Sequence, residues 1–270
     1  MTHVYVVSRA DPTRMHTANL LKRSGVPFTL VVDNAEQVRS ARRLGYEAIN
    51  AETTDLVSKR NAITDRIAER GLWYIGMDDN IQAFTMVHSS FRHHDFVDTS
   101  NVNAAPWRDL WNTEAKPAEF IAELEHLIDR CKNIGAEYGG VATMENPFFR
   151  QKRLGFRRFV KSKVFVMKSG SDVRFKHRLC HDSYASAHAV ALHGTVLTDS
   201  FMFYRARWYE KGGLGSRSQR EAAGLLDQLQ QCVDEFPGLV GLARGKNSAL
   251  RFLKTSDTSV NKWRAENGWT

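Results

Sequence analysis

Asp78, Asp79 and Asn80 stand in a row at the end of the apolar run Trp73-Tyr74-Ile75-Gly76-Met77. Carboxylates delivered by a buried strand need positive charge beside them. A hard divalent cation such as Mn²⁺ or Mg²⁺ supplies it, takes carboxylate oxygens, and shares its other positions with substrate phosphates and water. The same triplet also reads as a solvated Asp-Asn turn closing a strand. Asp182, in Cys180-His181-Asp182-Ser183-Tyr184, opens a helix and could accept a hydroxyl proton, or could serve only as an N-cap worth about 1 kcal/mol. Arg150 to Lys163 carries seven basic residues and no acid. Arg150, Lys152, Arg153, Arg157, Arg158 and Lys161 are candidates for nucleic-acid phosphates, with Phe156 and Phe159 interleaved. The competing reading is a solvated basic edge whose phenylalanines enter the core.

Weaker signals remain open. Lys211-Gly212-Gly213-Leu214-Gly215-Ser216-Arg217-Ser218 is either a diphosphate clamp, with Arg217 at its end, or a flexible connector. His193 is a metal ligand or a helix-end cation. His88, His93, His94 and Asp95 lack the spacing of a zinc motif, and nothing nearby completes a site around His177 and His181.

The elements that must position these residues alternate. Val4–Val7, Phe28–Val32, Tyr46–Asn50 and the run before Asp78 read as strands, and Thr13–Arg23, Glu36–Leu44 and Ser58–Arg70 as the helices between them. That alternation predicts an α/β fold with a mostly parallel central sheet flanked by helices, and ligands then sit beyond the carboxyl ends of its strands. No glycine-rich phosphate loop follows the first strand. Met86 to Thr113 shows no period and reads as a long loop, a lid carrying Trp107 and Trp111. Pro117–Ile134 is a scaffold helix, Tyr138–Ala142 and Val164–Met167 are strands, His181–Leu192 is a helix, Thr195–Tyr204 is one strand, and Gln219–Val233 is a last helix. One domain over 1–270 is expected, with a nucleotide-binding half at 1–85, an acceptor-side half at 86–210 and a basic helical extension at 211–270.

Composition narrows the classes. With 42% hydrophobic and 25% charged residues, the chain is ordinary for a soluble globular protein. No apolar run approaches the roughly 20 residues needed to span a bilayer, so no membrane partner is expected. Three scattered cysteines argue against a disulfide framework and for a reducing cytoplasm. The net charge of +8 favours phosphate-bearing partners without choosing between nucleotide and nucleic acid.

Lys59-Arg60-Asn61-Ala62, Ala68-Glu69-Arg70-Gly71, Trp73-Tyr74-Ile75 and Asp78-Asp79-Asn80 together resemble the signature of nucleotide-sugar glycosyltransferases of the GT-A fold. With the basic-aromatic segment and the His181-Asp182 helix start, residues 3 to 204 are similar to the TET/JBP-associated glycosyltransferases of bacteriophages. The resemblance implies a GT-A-like single domain and a divalent metal, Mn²⁺ or Mg²⁺. It implies a nucleotide-diphosphate sugar as donor, a UDP-sugar first, and DNA carrying 5-hydroxymethylcytosine or a related hydroxymethylpyrimidine as acceptor. A phage-encoded enzyme would work in the host cytoplasm. Carried over residue by residue, Ser8, Arg9, Asp33, Arg60 and Asn61 would serve the nucleoside, Asp78, Asp79 and Asn80 the metal, and Asp182 would be the base. Asn80 departs from a strict Asp-x-Asp. The rivals are the same fold with a polysaccharide, lipid or protein acceptor, a nucleotidyltransferase, and a non-catalytic nucleic-acid-binding module.

Overall fold

The computed structural model describes residues 2–8, 15–87, 92–93, 96–97, 112–141, 153–206, 217–243 and 249–269. The chain begins β1 (His3–Val7), α1 (His16–Arg23), β2 (Thr29–Val32), α2 (Ala35–Arg43), β3 (Ala48–Asn50), α3 (Leu56–Ala62) and β4 (Trp73–Asp78). It continues through β5 (Ile81–Val87), β6 (Arg92–His93), β7 (Phe96–Val97), β8 (Asn112–Ala115), α4 (Pro117–Asn133), β9 (Tyr138–Val141), β10 (Leu154–Phe156) and β11 (Val164–Lys168). The rest is α5 (His181–His193), β12 (Leu197–Asp199), β13 (Met202–Ala206), α6 (Arg217–Ala222), α7 (Leu225–Glu235), β14 (Val240–Leu242), β15 (Leu250–Phe252) and α8 (Asp257–Glu266).

The main sheet has the order β10-β12-β9-β11-β4-β1-β2-β3. It is the expected α/β architecture, mixed but mostly parallel: β4, β1, β2 and β3 run parallel, as do β9 and β12. β11 is antiparallel to both neighbours and β10 antiparallel to β12. From β1 the chain winds outward through β2 and β3, then returns to place β4 on the other side of β1. That reversal opens a crevice at the carboxyl ends of β1 and β4. Because β11 runs backwards beside β4, with Val164 opposite Met77, its first residues arrive at that same edge.

Local chemistry explains the helices. Asn34 caps α2 by accepting from the Gln37 N–H at 3.0 Å, and Asp55 caps α3 through Ser58 at 2.8 Å. Pro117 opens α4, whose Phe120, Leu124, Leu127 and Ile128 stripe is buried against the sheet. α5 is built from small residues, Ala185, Ser186, Ala187, Ala189 and Ala191, all buried. Its other faces pack with Leu229 and Cys232 of α7 and Val260 and Trp263 of α8, so α7 and α8 contribute to the same core.

Four expectations change. The helix foreseen from Ser58 to Arg70 starts earlier, at Leu56, and loosens into a π turn over Ile63–Ile67. Thr195–Tyr204 is not one strand: β12 belongs to the main sheet and β13 crosses to a second sheet of order β13-β5-β8. β5 and β8 lie where no strand, or only loop, was foreseen, because their partners are distant in sequence. The basic stretch from Arg150 contains an edge strand, β10, held to β12. Trp107, Trp111, His88, His94 and Asp95 lie outside the described residues.

Gly76 is the tightest backbone position near the site. A Cβ there would run into the far end of the Phe165 ring, Cζ and both Cε atoms. Phe165 also meets Tyr74, Tyr138 and Phe175 edge-on or tilted, forming the aromatic floor on which Arg60 rests. Gly76→Ala is expected to cost about 2–3 kcal/mol through overpacking. Urea denaturation checks this; in a Gly76→Ala/Phe165→Leu pair the two losses should be less than additive.

Candidate active site at the carboxyl edge of the sheet

Arg60 organises the edge. Charged side chains are rarely buried without partners, and this one is 1% exposed at the C-terminal end of α3. Its Nη2 donates to Asp78 Oδ1 at 2.7 Å and to the Ser162 carbonyl at 2.7 Å, while Nη1 donates to the Ser162 hydroxyl and reaches Asp182 Oδ1 at 3.5 Å. The guanidinium carbon lies 5.3 Å from the Phe175 ring and 5.7 Å from that of Phe165. Burial opposes its charge, but Asp78 and Asp182 more than offset that and raise its pKa.

Asp182 sits in the first turn of α5, with its Oδ1 crowded. That oxygen accepts from the Ser162 hydroxyl and from Arg60, and faces His181 Nε2 at 2.8 Å. The other ring nitrogen, His181 Nδ1, meets the Arg178 carbonyl at 2.8 Å, which fixes the imidazole's orientation. Burial alone would raise the Asp182 carboxyl, but His181, Arg60 and Lys161 outweigh it and hold it well below the usual carboxylate range. Among the described residues Oδ2 takes no hydrogen bond, and the side chain is 24% exposed.

A second group lies at the ends of β1 and β2. Buried Lys59, next to Arg60 on α3, donates to the Ser8 carbonyl at 3.0 Å and pairs with Asp33. Asp33 also accepts from Gln37 Nε2 at 3.2 Å. The Ser8 side chain hydrogen-bonds Asp79, whose carboxyl is pushed up to about 6 by burial and by Asp78, against Ser8, Lys59 and Lys163. Ser8, Asp33, Arg60, Asp78, Asp79 and Asp182, far apart in sequence, are therefore brought together in one connected group.

Other expected residues are placed differently. Asn61 exchanges two 3.0 Å hydrogen bonds with the Phe175 backbone, so it clamps the segment before α5 rather than facing a nucleoside. His193 is at the far end of α5, about 16 Å along the helix from Asp182, with Nε2 3.4 Å from Glu137. It cannot join Asp78 in a metal site. Arg153 pairs with Glu123 at 2.6 Å and with buried Asp199 at 2.9 Å, and Arg157 is buried, donating to the Gly194 and Thr255 carbonyls at 2.9 Å and to Asp257. Both brace the fold, their guanidinium groups taken by its own carboxylates and carbonyls. Arg158 is exposed and Lys161 half-exposed. Arg217 is the first residue of α6, and Arg9, Arg150 and Lys152 lie outside the described residues.

Among the described residues the arrangement does not gather a ligand set for a divalent cation. Asp78 Oδ1 is taken by Arg60, its Oδ2 faces Lys163 Nζ at 3.9 Å, and Asn80 Oδ1 accepts from the same Nζ at 2.8 Å. Asp79 turns to Ser8. Among the described residues, no three His, Cys, Asp or Glu side chains converge as a metal-binding group. Four carboxylates, Asp33, Asp78, Asp79 and Asp182, already meet the basic side chains of Lys59, Arg60, Lys163 and His181.

Sequence reasoning singled out neither Lys59 nor Ser162, Lys163 or Tyr204 as site residues. Lys59 was legible as the neighbour of Arg60, but Ser162 and Lys163 end a basic run and reach the site only because β11 is antiparallel to β4. Tyr204 of β13 is 2% exposed, and its hydroxyl has no hydrogen-bond partner among the described residues. Burial, with the charges of Asp182 and Asp78, raises its pKa well above 10. An unmet buried hydroxyl costs about 1–3 kcal/mol, which a bound polar group would relieve.

No family model matches the chain, and the search of curated proteins finds no match. Among solved structures, CMP:2-keto-3-deoxy-manno-octonic acid synthetase complexed with CTP superposes on 85% of this chain and 100% of its own, with 9% identity and a TM-score of 0.41. That likeness is too slight to bear on function. Among the described residues no helix is long and apolar enough to cross a membrane. The sheet order and the edge cluster themselves define an α/β protein with a polar, charge-paired site at the strand reversal.

Proposed function

We propose that this chain is a glycosyltransferase that moves a sugar from a nucleotide-diphosphate donor, a UDP-sugar first, to the hydroxymethyl group of 5-hydroxymethylcytosine in DNA. The observation that carries the reading is the one-sided loading of Asp182. Arg60 and Ser162 donate to Oδ1, which His181 Nε2 also faces, while Oδ2 is left to accept a proton. The acceptor oxygen bonds to the anomeric carbon, its proton passes to Oδ2, and the bond from that carbon to the diphosphate oxygen breaks with its electrons on the leaving group. Ser8 and Asp33, fixed by Lys59, lie where the nucleoside would sit beyond β1 and β2.

The DNA acceptor rests on charge. The net +8 suits a polyanion, and Arg158 and Lys161 stand within four residues of Ser162, the direct partner of Asp182. A base within a duplex would have to be flipped to reach Oδ2.

The test is release of nucleoside diphosphate from a panel of nucleotide sugars, with hydroxymethylcytosine DNA, cytosine DNA or no acceptor. Release that requires the hydroxymethyl group supports donor and acceptor together. Release indifferent to DNA keeps the transferase and discards its acceptor. Pyrophosphate in place of diphosphate would mean nucleotidyl transfer, and no product from any donor would overturn the reading.

A further inference from the structure

We propose that Lys163 is the cation that receives the donor's diphosphate, so that this site binds a nucleoside diphosphate and releases it as leaving group without a divalent metal. This rests on the donor reading above.

The backbone first fixes the residue. The Asp78 N–H donates to the Lys163 carbonyl at 3.0 Å, so the last residue of β4 and the residue before β11 are locked side by side. From there Nζ reaches Asn80 Oδ1 at 2.8 Å and stands 3.9 Å from Asp78 Oδ2. An ammonium thus occupies the position between the acid and the amide that a metal would take from such a cluster. Its side chain is 15% exposed, so the charge is sheltered from bulk water without being sealed from it.

Asn80 then has a reason to be an amide. A divalent cation gains from a second carboxylate, whereas a single positive charge needs only one and accepts a neutral oxygen for the rest. Arg60 supports the arrangement from the other side by taking Asp78 Oδ1. Lysine is a compact phosphate binder, and in a sheltered site its attraction to an anion is much stronger than in water. As the glycosidic C–O bond breaks, the electron pair and new negative charge settle on the β-phosphate oxygen, and the Lys163 ammonium hydrogen-bonds to it. No oxidant, reductant or further reactant enters.

Calorimetric titration of the full chain with UDP, CDP, GDP and dTDP in EDTA tests this, with Mn²⁺ replacing EDTA in a second arm and Lys163→Met in a third. Diphosphate release in EDTA from the donor that turns over is followed alongside. The expected result is binding by one nucleotide in EDTA, unchanged by Mn²⁺, and weakened about 10–100-fold in Lys163→Met, as for loss of one charge-assisted hydrogen bond. Binding or release seen only with Mn²⁺ would overturn the role of Lys163 and leave the glycosyltransferase standing. Equal affinity of Lys163→Met and wild type in EDTA would do the same without any argument about metal. If no nucleotide binds in either arm, the donor reading falls and this inference with it. Unchanged circular dichroism and melting of Lys163→Met establish that a weakened affinity is not misfolding.

Discussion

Arg60→Met should destabilise the protein by about 3 kcal/mol and abolish sugar transfer. Removing one member of a buried ion pair leaves its partners charged and unmet, which typically costs 3–5 kcal/mol. The lower figure applies here because Asp78 and Asp182 keep 17% and 24% of their surface in solvent. Methionine restores part of the packing on Phe165 and Phe175 but none of the donors to Ser162 and the two carboxylates. Urea denaturation followed by circular dichroism reads the stability. The triple variant Arg60→Met/Asp78→Asn/Asp182→Asn should recover most of it, since the stranded charges are gone, yet remain inactive. A triple variant no more stable than Arg60→Met would show that the arginine acts through packing and not through charge.

Asp182→Asn should lower kcat about 10²–10⁴-fold while nucleoside diphosphate affinity changes less than threefold. The amide cannot accept the hydroxyl proton but keeps the shape of the carboxylate. A carboxylate held so far down in pKa is a weak base, and a weak base suffices where the proton leaves late, once the acceptor oxygen has begun to bond to the anomeric carbon and become strongly acidic. Equal loss of kcat and of nucleotide affinity would assign Asp182 to architecture alone. The same variant carries a pH signature. Because the folded pKa lies below the unfolded value of about 4, the carboxylate's stabilisation is complete above that value and is lost as pH falls through the folded one. Wild type should therefore hold this contribution at pH 5 and shed it in stronger acid, and melting of Asp182→Asn should lack that acid-side component.

How far the chain could be read depended on the distance between partners. Alternating strand and helix periods spell out β1 to β4, because the apolar runs of β1, β2 and β4 are buried on both faces and each connection is short. The Asp78 triplet and the Asp182 helix start were legible because clustered acids at element ends are costly without a counter-charge. The second sheet was not. β5 gains its meaning from β13, more than a hundred residues on, and a period-two strand carries no record of its partner. The basic run misled for a related reason: Arg153 and Arg157 read as a charged face, yet each has carboxylates or carbonyls waiting from elements elsewhere in the chain.

By itself, then, the sequence determined the α/β class and the edge at which acids gather, because these follow from local periodicity and the cost of burying charge. Only the tertiary structure decided which cation meets which acid. Lys163 and Ser162 reach Asp78 and Asp182 through an antiparallel β11, and His193 is carried away by the length of α5. Charge pairing acts over a few ångströms of space, and spacing along the chain does not encode those distances.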